Sequence, residues 1–263
     1  MKRRSFIKTT LAGGAGAAFL KMPVHLYGAV DDGEDVSGKT YTIGEKISAD
    51  AFVLNKELEK KKLLSLVQEN KEAFVHVLYI FGGGAMAKED KLGQIWCRDS
   101  FEDLQVLRFI QTKYEEYGVS MIPVALAPVY STQHYGFDAG VLMNEADDSK
   151  KFQDAAASFV NSTQQSYEAG FIPVQPYFDL RNRLLLNPAE DLKPGEDYGK
   201  IHAWQGRFRA ENETQKYGVP TIWLLNAEGV ILEGPFYGNY YHSDPYTINY
   251  TLVDIDKAIE KYL

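Results

Sequence analysis

The chain carries the sequence AFVHVLYIFGGG at residues 73–84. Nearly every side chain before the glycines is aliphatic or aromatic, and this pattern is typical of a strand that is buried on both faces of a parallel sheet. Residues 119–126 (VSMIPVAL) form a second run of this kind. The three glycines between the two runs indicate a loop after the first strand. We therefore expect two neighbouring buried strands here.

The segment between these strands has the period of an amphipathic helix that follows Trp96 and Cys97. Apolar residues recur at three- and four-residue steps, namely Phe101, Leu104, Leu107, Ile110, Tyr114 and Tyr117. Asp103 and its charged neighbours are predicted to face solvent, and Gly118 is predicted to end the helix. Residues 73–126 thus predict a strand–loop–helix–strand unit with the cysteine at the start of the helix.

The remaining pattern predicts further strands and helices around this unit. Strands are predicted at 47–54, 171–178, 221–226 and 230–233, and helices at 56–70, 149–169, 204–217 and 253–263. Residues 179–203 are rich in turn-forming residues and are predicted to be a surface insertion, with Arg183 on the surface. The alternation of strands and helices favours a single α/β domain at residues 47–263, preceded by a linker at 30–46.

The first 29 residues have the features of a twin-arginine signal peptide. Arg3-Arg4-Ser5-Phe6-Ile7-Lys8 matches the motif, and a weakly hydrophobic stretch from Thr9 to Leu20 follows it. The site of cleavage stays open. This segment predicts export through the twin-arginine route, with the mature protein in the periplasm or elsewhere outside the cytoplasm. No later stretch reaches the roughly 18 to 20 apolar residues that a membrane span needs.

Composition narrows the classes of partner and site. The formal net charge is −8, and the predicted signal peptide contains basic residues but no acidic ones, so the remainder is more acidic still. An acidic surface argues against nucleic acid as a partner. The single cysteine, Cys97, excludes an internal disulfide, and the five histidines show no metal-ligand spacing. We expect neither a metal nor another cofactor.

Two segments together carry a resemblance to a known superfamily. Trp96-Cys97-Arg98-Asp99-Ser100 resembles the Trp-Cys-x-x-Cys site of thioredoxin-like proteins, with serine in place of the second cysteine. Residues 216–229 (KYGVPTIWLLNAEG) resemble the segment in which these proteins carry a cis-proline, a strand and a hairpin turn. The order of both segments is similar to that of the redoxin branch, the alkyl hydroperoxide reductase and thiol-specific antioxidant-like domains. The resemblance implies a thioredoxin-like fold, a central mixed β-sheet flanked by helices, with an inserted segment near 127–203.

The resemblance implies a reactive site around Cys97. Trp96 is either a flat wall beside the thiol or an ordinary core residue, and Ser100 either donates a hydrogen bond to the thiolate or caps the helix. The helix N-terminus and Arg98 favour the thiolate, whereas Asp99 and other carboxylates nearby oppose it. On balance the sequence predicts a slightly lowered thiol pKa.

Val219, Pro220 and Thr221 are the expected substrate-binding residues. In the superfamily the cis-proline lies against the reactive cysteine, and the backbone before it pairs with the substrate chain. A trans proline that opens an edge strand is the alternative for Pro220. The resemblance thus predicts that Cys97 faces Val219 and Pro220.

Two hypotheses for the function follow. The first is an exported monothiol redox protein, in which Cys97 attacks disulfides or oxidised thiols of proteins or small molecules. The second is a redox-inactive binding or scaffold protein of the cell envelope that keeps the redoxin fold. Peroxidase activity is less expected, because Gln94 stands three residues before Cys97 where peroxiredoxin-type sites usually have threonine or serine. Whether the chain is an enzyme stays open on sequence alone.

Overall fold

A computed structural model gives the structure of the chain. It describes residues 39–84, 95, 97–127, 149–169, 174–186, 202–211, 216–217, 219–237 and 250–263. The predicted signal peptide, Trp96 and Gln94 lie outside these ranges. Within them, no helix has the length and apolar character to cross a membrane.

A seven-stranded mixed sheet forms the centre of the molecule, in the order β2-β1-β5-β4-β3-β8-β9. Its strands are β1 (Phe52–Leu54), β2 (Lys60–Lys62), β3 (Val75–Gly82), β4 (Val119–Leu126), β5 (Tyr177–Asp179), β8 (Thr221–Leu225) and β9 (Ile231–Tyr237). Strands β3, β4 and β5 are parallel, and the other pairings are antiparallel. A separate short pair consists of β6 (Ala210–Glu211) and β7 (Lys216–Tyr217). Every residue of β3 is buried, as its continuous apolar run predicts.

Helices flank the sheet: α1 (Leu63–Glu69), α2 (Arg98–Tyr114), α3 (Lys150–Ala169) and α4 (Leu252–Glu260). Helices α2 and α4 pack together, and the Tyr114 hydroxyl donates to the Asp256 carboxylate at 2.6 Å. Thr251 and Asp254 form a capping box that fixes the start of α4. The predicted α/β thioredoxin-like fold, with a mixed sheet flanked by helices, is confirmed.

The predicted insertion near 127–203 contributes to the centre of the fold. Its described part contains α3 and β5, and β5 lies inside the sheet between β1 and β4. The surface prediction for 179–203 is wrong for residues 180 and 182–186, which are buried together with Asp179, and Arg183 is only 3% exposed. The turn-forming residues on which the surface prediction rested lie at 187–199, outside the described residues, and they carried no information about the leucines at 184–186 before them.

Two predicted helices are wrong in part or in full. Lys60–Lys62 is an edge strand rather than the first part of a helix, because the Asn55 side chain accepts the Glu59 N–H at 2.7 Å and closes a tight β1–β2 hairpin. In the range 204–217, the described residues 204–208 form turns, and residues 210–211 and 216–217 form the β6–β7 pair. The Phe208 carbonyl there accepts the indole N–H of Trp223, a residue of β8, at 3.1 Å. In a helix this carbonyl would instead accept a backbone N–H of the helix itself.

The segment predicted as a linker also contacts the domain in its described part. Tyr41 is 2% exposed and its ring lies 4.7 Å from that of Phe208. The N–H of Gly44 donates to the carbonyl of Ile231 at 2.9 Å. Residues 39–46 are thus packed along the start of β9.

Candidate functional site

Cys97 lies immediately before α2, at the edge of the sheet where the parallel strands end. Its backbone is extended (φ −98°, ψ 115°), and Arg98 is the first helical residue. Its side chain is partly exposed. The thiol donates to the carbonyl oxygen of Val219, with Sγ and oxygen 3.9 Å apart. The structure therefore brings Cys97 together with the segment that precedes β8.

The Val219–Pro220 peptide bond is cis. Pro220 is buried and Val219 is partly exposed, so Val219 offers the accessible backbone beside the sulfur. Thr221 is fully buried in β8, opposite Ile80 and Tyr237. Of the three predicted substrate-binding residues, only Val219 is both next to the thiol and open to solvent.

Ser100 connects the thiol to the sheet. It is fully buried, and its hydroxyl oxygen accepts the N–H of Gly82 at 3.0 Å. Hydrogen bonding from its hydroxyl and its backbone N–H lowers the pKa of the Cys97 thiol, which favours the thiolate. The structure places Ser100 three residues beyond the N-cap, so it does not cap α2. Instead it holds the first turn of the helix against the end of β3.

Burial dominates the electrostatics of the thiol. Loss of water around the sulfur raises the pKa of Cys97, and the Asp99 carboxylate raises it further. The hydrogen bonds from Ser100 and the backbone N–H of Asp99 lower the pKa without reversing the net change. The predicted slight lowering of the thiol pKa is therefore wrong in sign, because the sequence did not reveal how much of the sulfur would lie out of water.

A layer of polar aromatic residues lies behind the site, and the sequence reasoning did not identify it. The Tyr79 hydroxyl donates to the carbonyl oxygen of Ser100 at 3.4 Å. Asp103 is fully buried and accepts a short hydrogen bond from the Tyr250 hydroxyl. Burial, and then the charge of Asp103, raises the pKa of Tyr79. Tyr79 therefore stays protonated at physiological pH and acts as a donor.

The prediction that Asp103 faces solvent is wrong. The signal that could have revealed it is the spacing from Ser100, since residues three apart share a helix face. With Ser100 buried at the site, Asp103 lies on the same buried face. A carboxylate there is tolerated because Tyr250 supplies a hydrogen bond.

The part of the chain that the structure describes contains no group of three histidine, cysteine or carboxylate side chains suited to hold a metal ion. The polar groups around Cys97 are instead donors directed at the sulfur and at backbone carbonyls. Chemically, the arrangement can hold a thiolate and offer an adjacent backbone carbonyl.

No family model and no curated protein matches the sequence. Among solved structures, the chain is similar to a thioredoxin-family thiol:disulfide interchange protein from Chlorobium tepidum, with a TM-score of 0.40 and 10% identity over 83% of this chain and 97% of that one. It is also similar to peroxidoxin BcpB from Mycobacterium tuberculosis, with a TM-score of 0.39 and 12% identity over 84% and 95% of the two chains. A thioredoxin-like protein from Bacteroides caccae gives a TM-score of 0.39 and 12% identity over 87% of this chain and 52% of that one. At these identities the likeness concerns the fold alone.

Proposed function

We propose that this chain is a thiol-disulfide exchange protein that works through a single thiol, Cys97. The observation that carries the proposal is the position of the sulfur: it is partly exposed before α2, hydrogen-bonded by Ser100 and 3.9 Å from the Val219 carbonyl oxygen. Buried structural cysteines have no need of donors directed at the sulfur. A sulfur that is solvated on one side and hydrogen-bonded on the other suits nucleophilic attack.

The exchange consists of two balanced steps. The Cys97 thiolate attacks one sulfur of a disulfide R–S–S–R′, so that a Cys97–S–S–R bond forms and R′–S⁻ leaves. An external thiolate then attacks the sulfur of R, which forms a new disulfide and returns the electron pair to Cys97. No second cysteine is available in the chain to perform this release. Every turnover therefore requires a thiol from another molecule.

The residues around the sulfur have separate roles in this proposal. Ser100 donates to the thiolate and positions the first turn of α2. The partly exposed Val219 backbone would bind the extended chain of a disulfide substrate, as the superfamily resemblance implies. Pro220 and Thr221 support that backbone from inside. Trp96 is proposed as a wall beside the thiol.

Thiol alkylation of the folded protein tests the proposal directly. Cys97 should react with iodoacetamide in native buffer and should form a mixed disulfide with an added small disulfide, visible as a mass increase of the intact protein. Cys97→Ser should abolish both products and keep the circular dichroism spectrum of the parent. If the native protein reacts only after denaturation, the proposal is wrong, and the redox-inactive binding hypothesis replaces it.

We also propose that the protein acts outside the cytoplasm, after removal of residues 1–29. The support is the twin-arginine motif Arg3-Arg4-Ser5-Phe6-Ile7-Lys8 and the weakly hydrophobic stretch that follows. A fold stabilised by its core, without disulfide bonds, can be complete before export. Thiols and disulfides of that compartment would be its partners.

A further inference from the structure

A second group of side chains lies beyond β5, at the β1–β2 hairpin. Its centre is the buried ring of Phe52. The ammonium nitrogen of Lys60 is 3.8 Å from the centroid of this ring, and the guanidinium carbon of Arg183 is 4.8 Å from it. Two cations thus share one aromatic side chain, an arrangement that places like charges close together.

Two more rings complete the group. The indole of Trp204 meets the ring of Phe52 edge-on, with centroids 5.6 Å apart. The imidazole of His202 stacks on the same indole at 5.8 Å. Trp204 is 2% exposed, and its indole nitrogen has no hydrogen-bond partner among the described residues. A buried N–H without an acceptor is unfavourable, and such donors are rare in folded proteins.

Two acidic side chains among the described residues act on the charges of this group: Asp179 on Arg183, and Asp50 on Lys60 and His202. Asp179 lies 3.6 Å from Arg183, but its two oxygens also accept the N–H groups of Arg181 and Leu184. Lys60 forms no ion pair within the described part of the chain. Burial lowers the pKa of Lys60, and the charge of Arg183 lowers it further.

The pKa of His202 is also affected by the positive charges of this group. Burial lowers its pKa, and the charges of Lys60 and Arg183 add to that effect, opposed only by Asp50. An anion placed among these groups would offset the repulsion between Lys60 and Arg183 and would favour the protonated form of His202.

We propose that Lys60, His202 and the indole N–H of Trp204 form a binding site for an oxyanion, the carboxylate or phosphate group of a small molecule. An ammonium group supplies a mobile positive charge for such a group, and the indole supplies a fixed neutral donor. Arg183 contributes positive potential while it stays paired with Asp179. This site goes beyond the proposed function, because it requires no chemistry at Cys97.

The oxyanion site lies at the same sheet edge as the thiol. In the register of the sheet, Gly82 is opposite Leu126, and Leu126 is opposite Asp179. Two strand spacings separate the ends of β3 and β5, which is about 10 Å. Ser100 binds the first of these ends and Arg183 is paired at the second. A ligand bound there would therefore lie at the same end of the parallel strands as Cys97.

Nuclear magnetic resonance of the indole groups tests the site. The three tryptophans give three indole N–H signals, which Trp96→Phe and Trp204→Phe assign by loss. Inorganic phosphate and acetate are titrated separately at constant ionic strength. We expect a saturable downfield shift of the Trp204 signal with at least one of the two anions, because its N–H acquires an acceptor. The anion that gives the tighter binding identifies the oxyanion class.

Matched lysine variants separate a site from general charge attraction. Lys60→Gln should weaken binding at least about fivefold, because a charged donor is lost. Lys61→Gln removes the same charge from the next residue, which is paired with Glu59 at 3.3 Å, and should leave affinity unchanged. Cys97→Ser should also bind normally, so failure of the redox proposal leaves this result intact. The absence of a saturable Trp204 shift with both anions, or equal weakening by both lysine variants, would overturn the proposal.

Discussion

Replacement of Ser100 by alanine isolates the contribution of one hydroxyl group to the reactivity of Cys97. In the structure this hydroxyl accepts from the Gly82 N–H at 3.0 Å and donates to the sulfur. Alanine removes the donor without adding bulk to a position that is fully buried. The thiolate then loses a hydrogen bond, whereas the neutral thiol loses much less, so the pKa of Cys97 should rise further.

The size of the effect follows from the type of bond. Hydrogen bonds to charged groups contribute about 1.5–3 kcal/mol, and we take the lower end because the sulfur of Cys97 is partly solvated. A loss of about 1.5 kcal/mol corresponds to roughly tenfold less thiolate at neutral pH. Alkylation of Ser100→Ala should therefore be roughly tenfold slower at pH 7, and its rate should approach that of the parent at high pH.

The assay measures the rate of iodoacetamide alkylation by intact mass between pH 6 and pH 10. Asp99→Asn is the matched variant of opposite sign, because the Asp99 carboxylate raises the pKa of Cys97 and its removal should accelerate alkylation. Thermal unfolding is recorded in parallel, since Ser100→Ala leaves the buried Gly82 N–H without its acceptor. Equal rates for parent and Ser100→Ala at pH 7, or a change of the same sign in both variants, would refute the reasoning.

Three further predictions concern stability and export. His76 is fully buried, its two ring nitrogens have no hydrogen-bond partner among the described residues, and burial lowers its pKa to about 4. Because the unfolded chain takes up this proton near pH 6.5, the free energy of unfolding should fall by up to about 3 kcal/mol as the pH drops between these values, and His76→Leu should flatten that dependence in urea titrations. A Cβ atom at Gly84 would lie 2.4 Å from the backbone nitrogen of Thr163, so Gly84→Ala should lower the urea midpoint by an amount equivalent to about 1–3 kcal/mol; an unchanged midpoint would contradict this contact. Replacement of Arg3 and Arg4 by lysine should retain the protein in the cytoplasm in cell fractionation, and normal export would exclude the twin-arginine hypothesis.

The sheet could be predicted because its inner strands have an unambiguous pattern. Residues 73–81 and 119–126 are apolar at almost every position, and runs of this length that are rich in β-branched and aromatic residues are typical of a strand covered on both faces. The helix after Cys97 had a clear three- and four-residue period. These three elements fix where the parallel strands end, and so they also fix the general location of the thiol.

The rest of the site depends on contacts between segments that are distant in sequence. Asp103 is charged and lies on an amphipathic helix, so its residue type indicates exposure to solvent. Its burial depends on a hydrogen bond with Tyr250, which is 147 residues away in sequence. Residues 204–217 had apolar residues at helical spacing, but Trp204 and Phe208 pack against β1 and β8 from a turn. A local pattern predicts an element correctly only when packing against distant segments does not stabilise a different conformation of the same residues.

The raised pKa of Cys97 bears on the kind of exchange that this chain can support. A thiol of higher pKa is less often ionised at neutral pH, but its thiolate is the stronger nucleophile and the poorer leaving group. In the proposed exchange, Cys97 would therefore form a mixed disulfide slowly and be displaced from it slowly. The absence of a second cysteine in the chain acts in the same direction, because no internal thiol is present to attack the bond. Both properties favour persistent capture of a substrate over rapid turnover, and release then depends on an external thiol that can approach beside Val219.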